Sequence, residues 1–180
     1  TASGKYPVEA LDMMSRIIKY TERESPAQSS VFGFPEVRSA SADAMPEAAA
    51  TFENALFSGA IADAACRAAE DIRARFVVAC TDSGFTARLV SKFRPRIPII
   101  AFTPETRTLN RMCLYWGVKP KLMSPPTGTD KMIREVERLL VEEGLVKKGE
   151  RVVITASSPL LGSGKTNLLQ LQRIGEDKRL

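Results

Sequence analysis

Apolar positions along this chain follow two rhythms, and the change between them marks its organisation. From Pro7 to about Glu24, Val8, Leu11, Met14, Ile17 and Ile18 recur at helical spacing, and Pro7 suits a first helical turn. From Ser25 to about Met45 the periodicity stops. Ser25-Pro26, Ser29-Ser30, Gly33 and Pro35 read as a linker or crossing loop, with Pro46 closing it. Pro46 to about Ala74 is again helical and dense in alanine, with a break allowed near Ser58-Gly59. Its small side chains suit close helix packing.

Beyond Ala74, short apolar runs alternate with helical patterns. The runs are Phe76–Cys80, Ile97–Thr103, Val118–Ser124, Arg151–Ala156 and Leu168–Ile174. Helices are expected between the first four, over Thr86–Phe93, Glu105–Tyr115 and Asp130–Glu143, and Gly144 stands where a helix-terminating glycine belongs. Strands alternating with helices predict right-handed crossovers and a mainly parallel sheet. Only a loop joins the last two runs, so the final strand is expected to be antiparallel. Trp116-Gly117 ends a helix before the third strand, and Trp116 reads first as a core residue and second as a stacking platform.

Length and composition fit this picture. The 180 residues are 44% hydrophobic and 26% charged, which suits one domain with a real core and a short extra element. No apolar run approaches the roughly 18 residues of a membrane span, and the first residues lack the apolar segment of a signal peptide. The chain does not begin with Met, as expected of a piece of something longer. The net charge of +5 comes from scattered basic residues with no nucleic-acid motif. It suits a solvated surface with some attraction for small anions, and neither nucleic acid nor membrane is expected as a partner. Cys66, Cys80 and Cys113 are far apart, and there is no His. A disulfide framework and a Cys/His metal site are therefore unsupported, and the three cysteines read as small buried hydrophobes in a reducing cytoplasm. Lack of His also removes the usual acid–base residue and every Ser-His or Cys-His pair.

Two segments could carry chemistry. Cys80-Thr81-Asp82-Ser83-Gly84-Phe85-Thr86 takes a buried strand through a hydroxyl-rich turn into a helix. Such a turn gathers backbone N–H groups and hydroxyls beside a helix N-terminus, which favours phosphate, and strand C-terminal ends are where open α/β sheets bind ligands. An ordinary helix cap by Ser83 or Thr81 explains the same residues. The second segment is Gly162-Ser163-Gly164-Lys165-Thr166-Asn167. It is not a P-loop, because that motif requires a glycine where this chain has Pro159 and must open a helix. Here Leu169 and Leu171 alternate with Gln170 and Gln172, a strand pattern. What remains is a glycine-rich loop carrying one cation, able to fold over an anion or simply to connect a hairpin.

Taken together, these segments resemble the pyruvate kinase family over nearly the whole chain. Thr1-Ala2-Ser3-Gly4-Lys5-Tyr6-Pro7 with Glu9-Ala10 is similar to the end of that family's catalytic barrel. Thr81 to Arg88 resembles its effector-phosphate loop, and Arg94-Pro95-Arg96-Ile97-Pro98-Ile99-Ile100-Ala101 its following strand. Leu114-Tyr115-Trp116-Gly117-Val118 and Gly162 to Asn167 match in the same order. Residues 25–45 have no counterpart. The resemblance implies a last barrel helix over residues 1–24 and a three-layer α/β domain over 46–180 with a five-stranded sheet, and residues 25–45 between them keep the linker reading. It implies a parent enzyme that transfers phosphoryl from phosphoenolpyruvate to ADP to give pyruvate and ATP in glycolysis. That parent uses magnesium and potassium and forms a homotetramer in the cytoplasm.

In that family the catalytic lysine, arginine and metal-binding carboxylates lie on the barrel, and their motifs are not in this sequence. This chain is therefore expected to bind and regulate without catalysing. The implied effector is a phosphorylated small molecule, held by Thr81, Ser83, Gly84, Phe85 and Thr86 in one loop and by Gly162, Ser163, Gly164, Lys165, Thr166 and Asn167 in the other. The chain departs from the family at Asp82, where forms activated by fructose 1,6-bisphosphate often carry Lys. A carboxylate there opposes phosphate, and Lys165 offsets it in part. The rival reading is a stand-alone sensor of phosphorylated metabolites.

Overall fold

A computed structural model describes residues 4–24, 46–157 and 165–176. The expected linker, residues 25–45, lies outside the described residues. The elements are α1 (Pro7–Glu24), α2 (Pro46–Asp71), β1 (Phe76–Cys80), α3 (Phe85–Lys92), β2 (Ile99–Thr103), α4 (Thr106–Met112), β3 (Val118–Leu122), α5 (Thr129–Glu142), β4 (Arg151–Ala156) and β5 (Leu168–Arg173).

β1, β2 and β4 are the sheet's interior strands and read as continuous apolar runs because both of their faces are covered. The strand order is β3-β2-β1-β4-β5. β1 pairs in parallel with β2 and β4, and β2 with β3, while β5 runs antiparallel to β4 with Val153 opposite Leu171. The expected five-stranded sheet with an antiparallel last strand is therefore the one observed.

Side chains alternate between the two faces. Phe76, Val78, Cys80, Ile100, Phe102, Val152 and Ile154 join Met132, Val136 and Leu140 of α5 in one core cluster. On the other face Val77, Ile99 and Val153 meet Ala62, Ala65, Cys66 and Ala69 of α2 and Val90 of α3. Ala79 and Ala101 extend that face to Ala87 and to Met112 of α4. The result is three layers, with helices on both sides of the sheet.

Details depart from the pattern in four places. α2 is unbroken through Ser58-Gly59, because both residues are buried inside a continuous helix and the Ser58 hydroxyl has a tertiary partner. α4 is shorter than expected: the N–H groups of Leu114 and Tyr115 bond to Arg111 and Met112, three residues back, so the helix tightens into turns. Trp116 is 39% exposed rather than a core residue. The guanidinium of Arg94 lies 5.7 Å from its ring centroid, and its carbonyl accepts the Ser91 hydroxyl at 2.8 Å. Cys66 and Cys80 are buried, but Cys113 is exposed. Gly144 behaves as expected, with φ +66° just past α5, where Leu145 N–H bonds back to Leu140.

α1 forms over the residues that the periodicity predicts, yet its stripe stays open. Val8, Leu11, Met14, Ile17 and Ile18 are each between 49% and 75% exposed.

Candidate functional site

The parallel strands β1 and β4 end at the same edge, so the segments that follow them must meet there. After β1, Thr81 N–H continues the ladder to Phe102 at 3.0 Å. The Thr81 hydroxyl accepts the Gly84 N–H at 3.0 Å and closes the turn. Gly84 is the N-cap of α3 at φ +77°, a left-handed conformation that L side chains rarely adopt. A Cβ added there would also come within 3.3 Å of Thr108 Cγ2. Neither Ser83 nor Thr81 is itself the N-cap; Thr81 acts one step earlier, on the amide of the capping glycine.

The outer side of the turn is fastened to α4. The Asp82 carbonyl accepts the Thr108 hydroxyl at 2.8 Å, and the Ser83 carbonyl accepts a guanidinium N–H of Arg111. The first intrahelical bond of α3 runs from Arg88 N–H to the Gly84 carbonyl at 3.0 Å. The N–H groups of Phe85, Thr86 and Ala87 precede it, at the end of the helix that favours negative charge. Phe85 is half-buried, with the Arg88 guanidinium 5.7 Å from its ring centroid.

Of the second segment, Gly162, Ser163 and Gly164 lie outside the described residues. Lys165, Thr166 and Asn167 are described. Thr166 is fully buried: its N–H donates to the Ser58 hydroxyl of α2 at 3.0 Å, and its hydroxyl meets that of Thr86 at 2.7 Å. Asn167 N–H bonds to the Ala156 carbonyl at 3.2 Å, and the Ser157 hydroxyl donates to the Lys165 carbonyl. The structure therefore brings the first expected loop and the described end of the second together through Thr86 and Thr166, whose hydroxyls hydrogen-bond each other. Thr81, Ser83 and the α3 amides remain on one side of this junction, and exposed Lys165 stands at the other segment.

Beside the turn is a cavity of about 70 Å³, walled by Thr81, Asp82, Ser157, Phe102, Met123 and Met132 among others. Cys80 also reaches it. Burial, with a smaller contribution from the Asp82 charge, pushes the Cys80 thiol up to about 12, so it stays protonated and unreactive. Sequence reasoning missed Ser58, Thr108 and Arg111. Each lies far along the chain from the turn it supports, and the only local signal was Ser58 beside Gly59. Among the described residues, no three His, Cys, Asp or Glu side chains gather closely enough to hold a metal ion.

The family model for the pyruvate kinase alpha/beta domain matches residues 59–172. The chain belongs to the pyruvate kinase family. It is 33% identical over 177 residues to the pyruvate kinase of Lactobacillus delbrueckii subsp. bulgaricus, covering 97% of this chain and 28% of that protein. It is 35% identical over 178 residues to that of Dictyostelium discoideum, covering 98% and 33%. A crystal structure of pyruvate kinase from Cryptosporidium parvum superposes with TM-score 0.58 at 29% identity, over 65% of this chain and 22% of that one. The chain thus spans about a third of the length of these curated relatives. Its three-layer sheet is the pyruvate kinase C-terminal fold, and no described helix is long and apolar enough to cross a membrane.

Proposed function

We propose that this chain is the regulatory and assembly part of a cytoplasmic pyruvate kinase and does not itself transfer phosphoryl. Residues 1–24 would be the last barrel helix, 25–45 a linker and 46–180 the effector-binding domain. The observation that carries the reading is the Thr86–Thr166 junction, which joins two strand-end segments at the edge where α/β sheets take ligands. A phosphorylated small molecule would meet the α3 amides, the Thr81 and Ser83 hydroxyls and Lys165. Phosphoryl transfer depends on positioned metal and cations, which in this family belong to the barrel.

Two features support self-association. The α1 stripe is open. The sheet's two edges also differ: β3 carries Lys119, Pro120 and Lys121, which discourage further strand pairing, whereas β5 reads Leu-Leu-Gln-Leu-Gln-Arg with Leu171 46% exposed. The test combines turnover with sedimentation. The purified chain should form no pyruvate from phosphoenolpyruvate and ADP with magnesium and potassium, and should sediment as an oligomer. Leu11→Glu with Ile17→Glu should shift it toward monomer without loss of fold. Turnover above background would refute the first statement, and a strictly monomeric wild type the second.

A further inference from the structure

α2 is much longer than the sheet it covers. Its 26 residues extend about 39 Å, whereas a five-residue strand extends only about 17 Å. Ala62, Ala65, Cys66 and Ala69 take up the sheet. Because the C-terminus of α2 leads back to the start of β1, its N-terminal half must overhang the strand C-terminal edge. There the stripe Asn54, Phe57, Ser58 and Ile61 continues past the last strand residues. Together with Lys165, Thr166 and Asn167 it lines a cavity of about 260 Å³. This cavity is separate from the small one beside Asp82. It lies on the α2 side of the sheet, whereas Phe102, Met123 and Met132 of the other belong to the α5 side.

The chemistry of the wall is specific. The Ser58 hydroxyl oxygen accepts the Thr166 N–H and the Thr166 hydroxyl meets that of Thr86, so these polar atoms of the floor have partners within the fold, while Asn54 and Asn167 add side-chain amides to the wall. Phe57 is 63% exposed, and Ile61 stands one helical turn beyond it. The one charged lining residue is Lys165, and among the described residues no carboxylate pairs with it. A slot with an apolar side of Phe57 and Ile61 and a single cation at its rim suits a ligand with a flat apolar body and one negative end. A bisphosphate would need more cations than this, and a neutral hydrocarbon would leave Lys165 unused.

We propose that this cavity is a second binding site that takes a small aromatic carboxylate, with the ring against Phe57 and Ile61 and the carboxylate on Lys165. The site shares Lys165 with the effector reading of the Thr81–Thr86 turn and is told apart from it by Phe57 and Ile61, which that reading does not use.

The test is isothermal titration of the purified chain with 2-naphthoate, 2-naphthylmethanol and acetate. Naphthoate should saturate at one per chain, with the alcohol and acetate each roughly tenfold weaker or worse. Phe57→Ala and Lys165→Gln should each weaken naphthoate by roughly fivefold to tenfold, whereas only Phe57→Ala should affect the alcohol. Both side chains are exposed, so the variants should keep the wild-type unfolding curve. Asp82→Ala, on the other side of the sheet, should leave naphthoate binding unchanged. The proposal is overturned if no saturable binding occurs, or if binding survives both substitutions. It is also overturned if binding disappears with Leu11→Glu instead, which would place the ligand on α1. Loss of self-association in Phe57→Ala, with no naphthoate binding by wild type, would assign the face to a second copy of the chain.

Discussion

The two faces of the sheet are closed by opposite means. On one, α5 fills the space with long side chains, and Met132, Val136 and Leu140 are wholly buried against Phe102, Ile100 and Ile154. On the other, α2 and α3 approach closely, and the α2 contribution is Ala62, Ala65, Cys66 and Ala69. A core can therefore be completed either by volume or by proximity. The two are not equivalent under mutation, because the first is sensitive to what is removed and the second to what is added.

That difference can be broken open directly. Leu140→Ala on α5 should destabilise the chain by about 2–5 kcal/mol through a lost side chain and the cavity it leaves. Ala65→Leu on α2 should cost about 1–3 kcal/mol, because the inserted atoms must push the helix away from the sheet. Urea unfolding followed by circular dichroism reads both. If Ala65→Leu changes stability no more than a surface substitution, within about 0.5 kcal/mol, the face is not closed by proximity.

A gentler probe uses one thiol on each face. Burial pushes Cys66 and Cys80 from the usual 9.0 up to about 12, with Asp63 and then Glu70 adding at Cys66 and Asp82 at Cys80. Above pH 9 the unfolded thiols ionise while the folded ones stay protonated. The folded state then holds more protons, and stability falls as pH rises. The contribution is complete below pH 9 and is lost progressively between pH 9 and 12. The loss should approach about 1.4 kcal/mol per pH unit for each thiol. Cys66→Ala and Cys80→Ala should each flatten the fall in stability between pH 8 and pH 11. Exposed Cys113 should meanwhile react with a thiol reagent in the native state while the other two are protected. Rapid native labelling of all three would contradict both burial and the expected slope.

The same contrast explains what could be read from the residues alone. The apolar residues of α5 are large enough to show their helical period, and the runs of β1 and β4 are apolar because both faces are buried, so their bounds were readable almost to the residue. An alanine-rich helix has little contrast between its faces, and nothing in the chain near Ser58-Gly59 indicates that the helix continues. Residue type alone places Trp116 and Cys113 in the core, but their exposure depends on how the turns after α4 meet the sheet edge. At the candidate site, the turn Thr81–Thr86 was visible because its chemistry is local. The Ser58, Thr108 and Arg111 contacts were not, since they join residues that only the folded topology brings together. The pairing of Thr86 with Thr166 belongs to the same class. The sequence places each in a separate ligand loop, and nothing local in it signals that their hydroxyls meet.

The smallest expected effect concerns the α5 side of the edge, where Asp82 borders the cavity of about 70 Å³. Its backbone carbonyl is held by Thr108, so the side chain can be exchanged without releasing the turn. Asp82 is exposed, and water weakens its repulsion of an incoming phosphate without abolishing it. Asp82→Lys replaces repulsion with attraction beside the α3 amides. It should strengthen binding of fructose 1,6-bisphosphate by roughly tenfold, a modest change that fits a partly screened charge. Lys165→Ala should weaken the same ligand by roughly threefold, because this flexible side chain meets phosphate in solvent. Titration calorimetry at low and high salt separates the two statements. A gain that shrinks with added salt marks an electrostatic effect at the turn. If Asp82→Lys lowers affinity, or if neither substitution changes it, phosphate does not bind at the Thr81–Thr86 turn, and the two strand-end segments meet there for structural reasons alone.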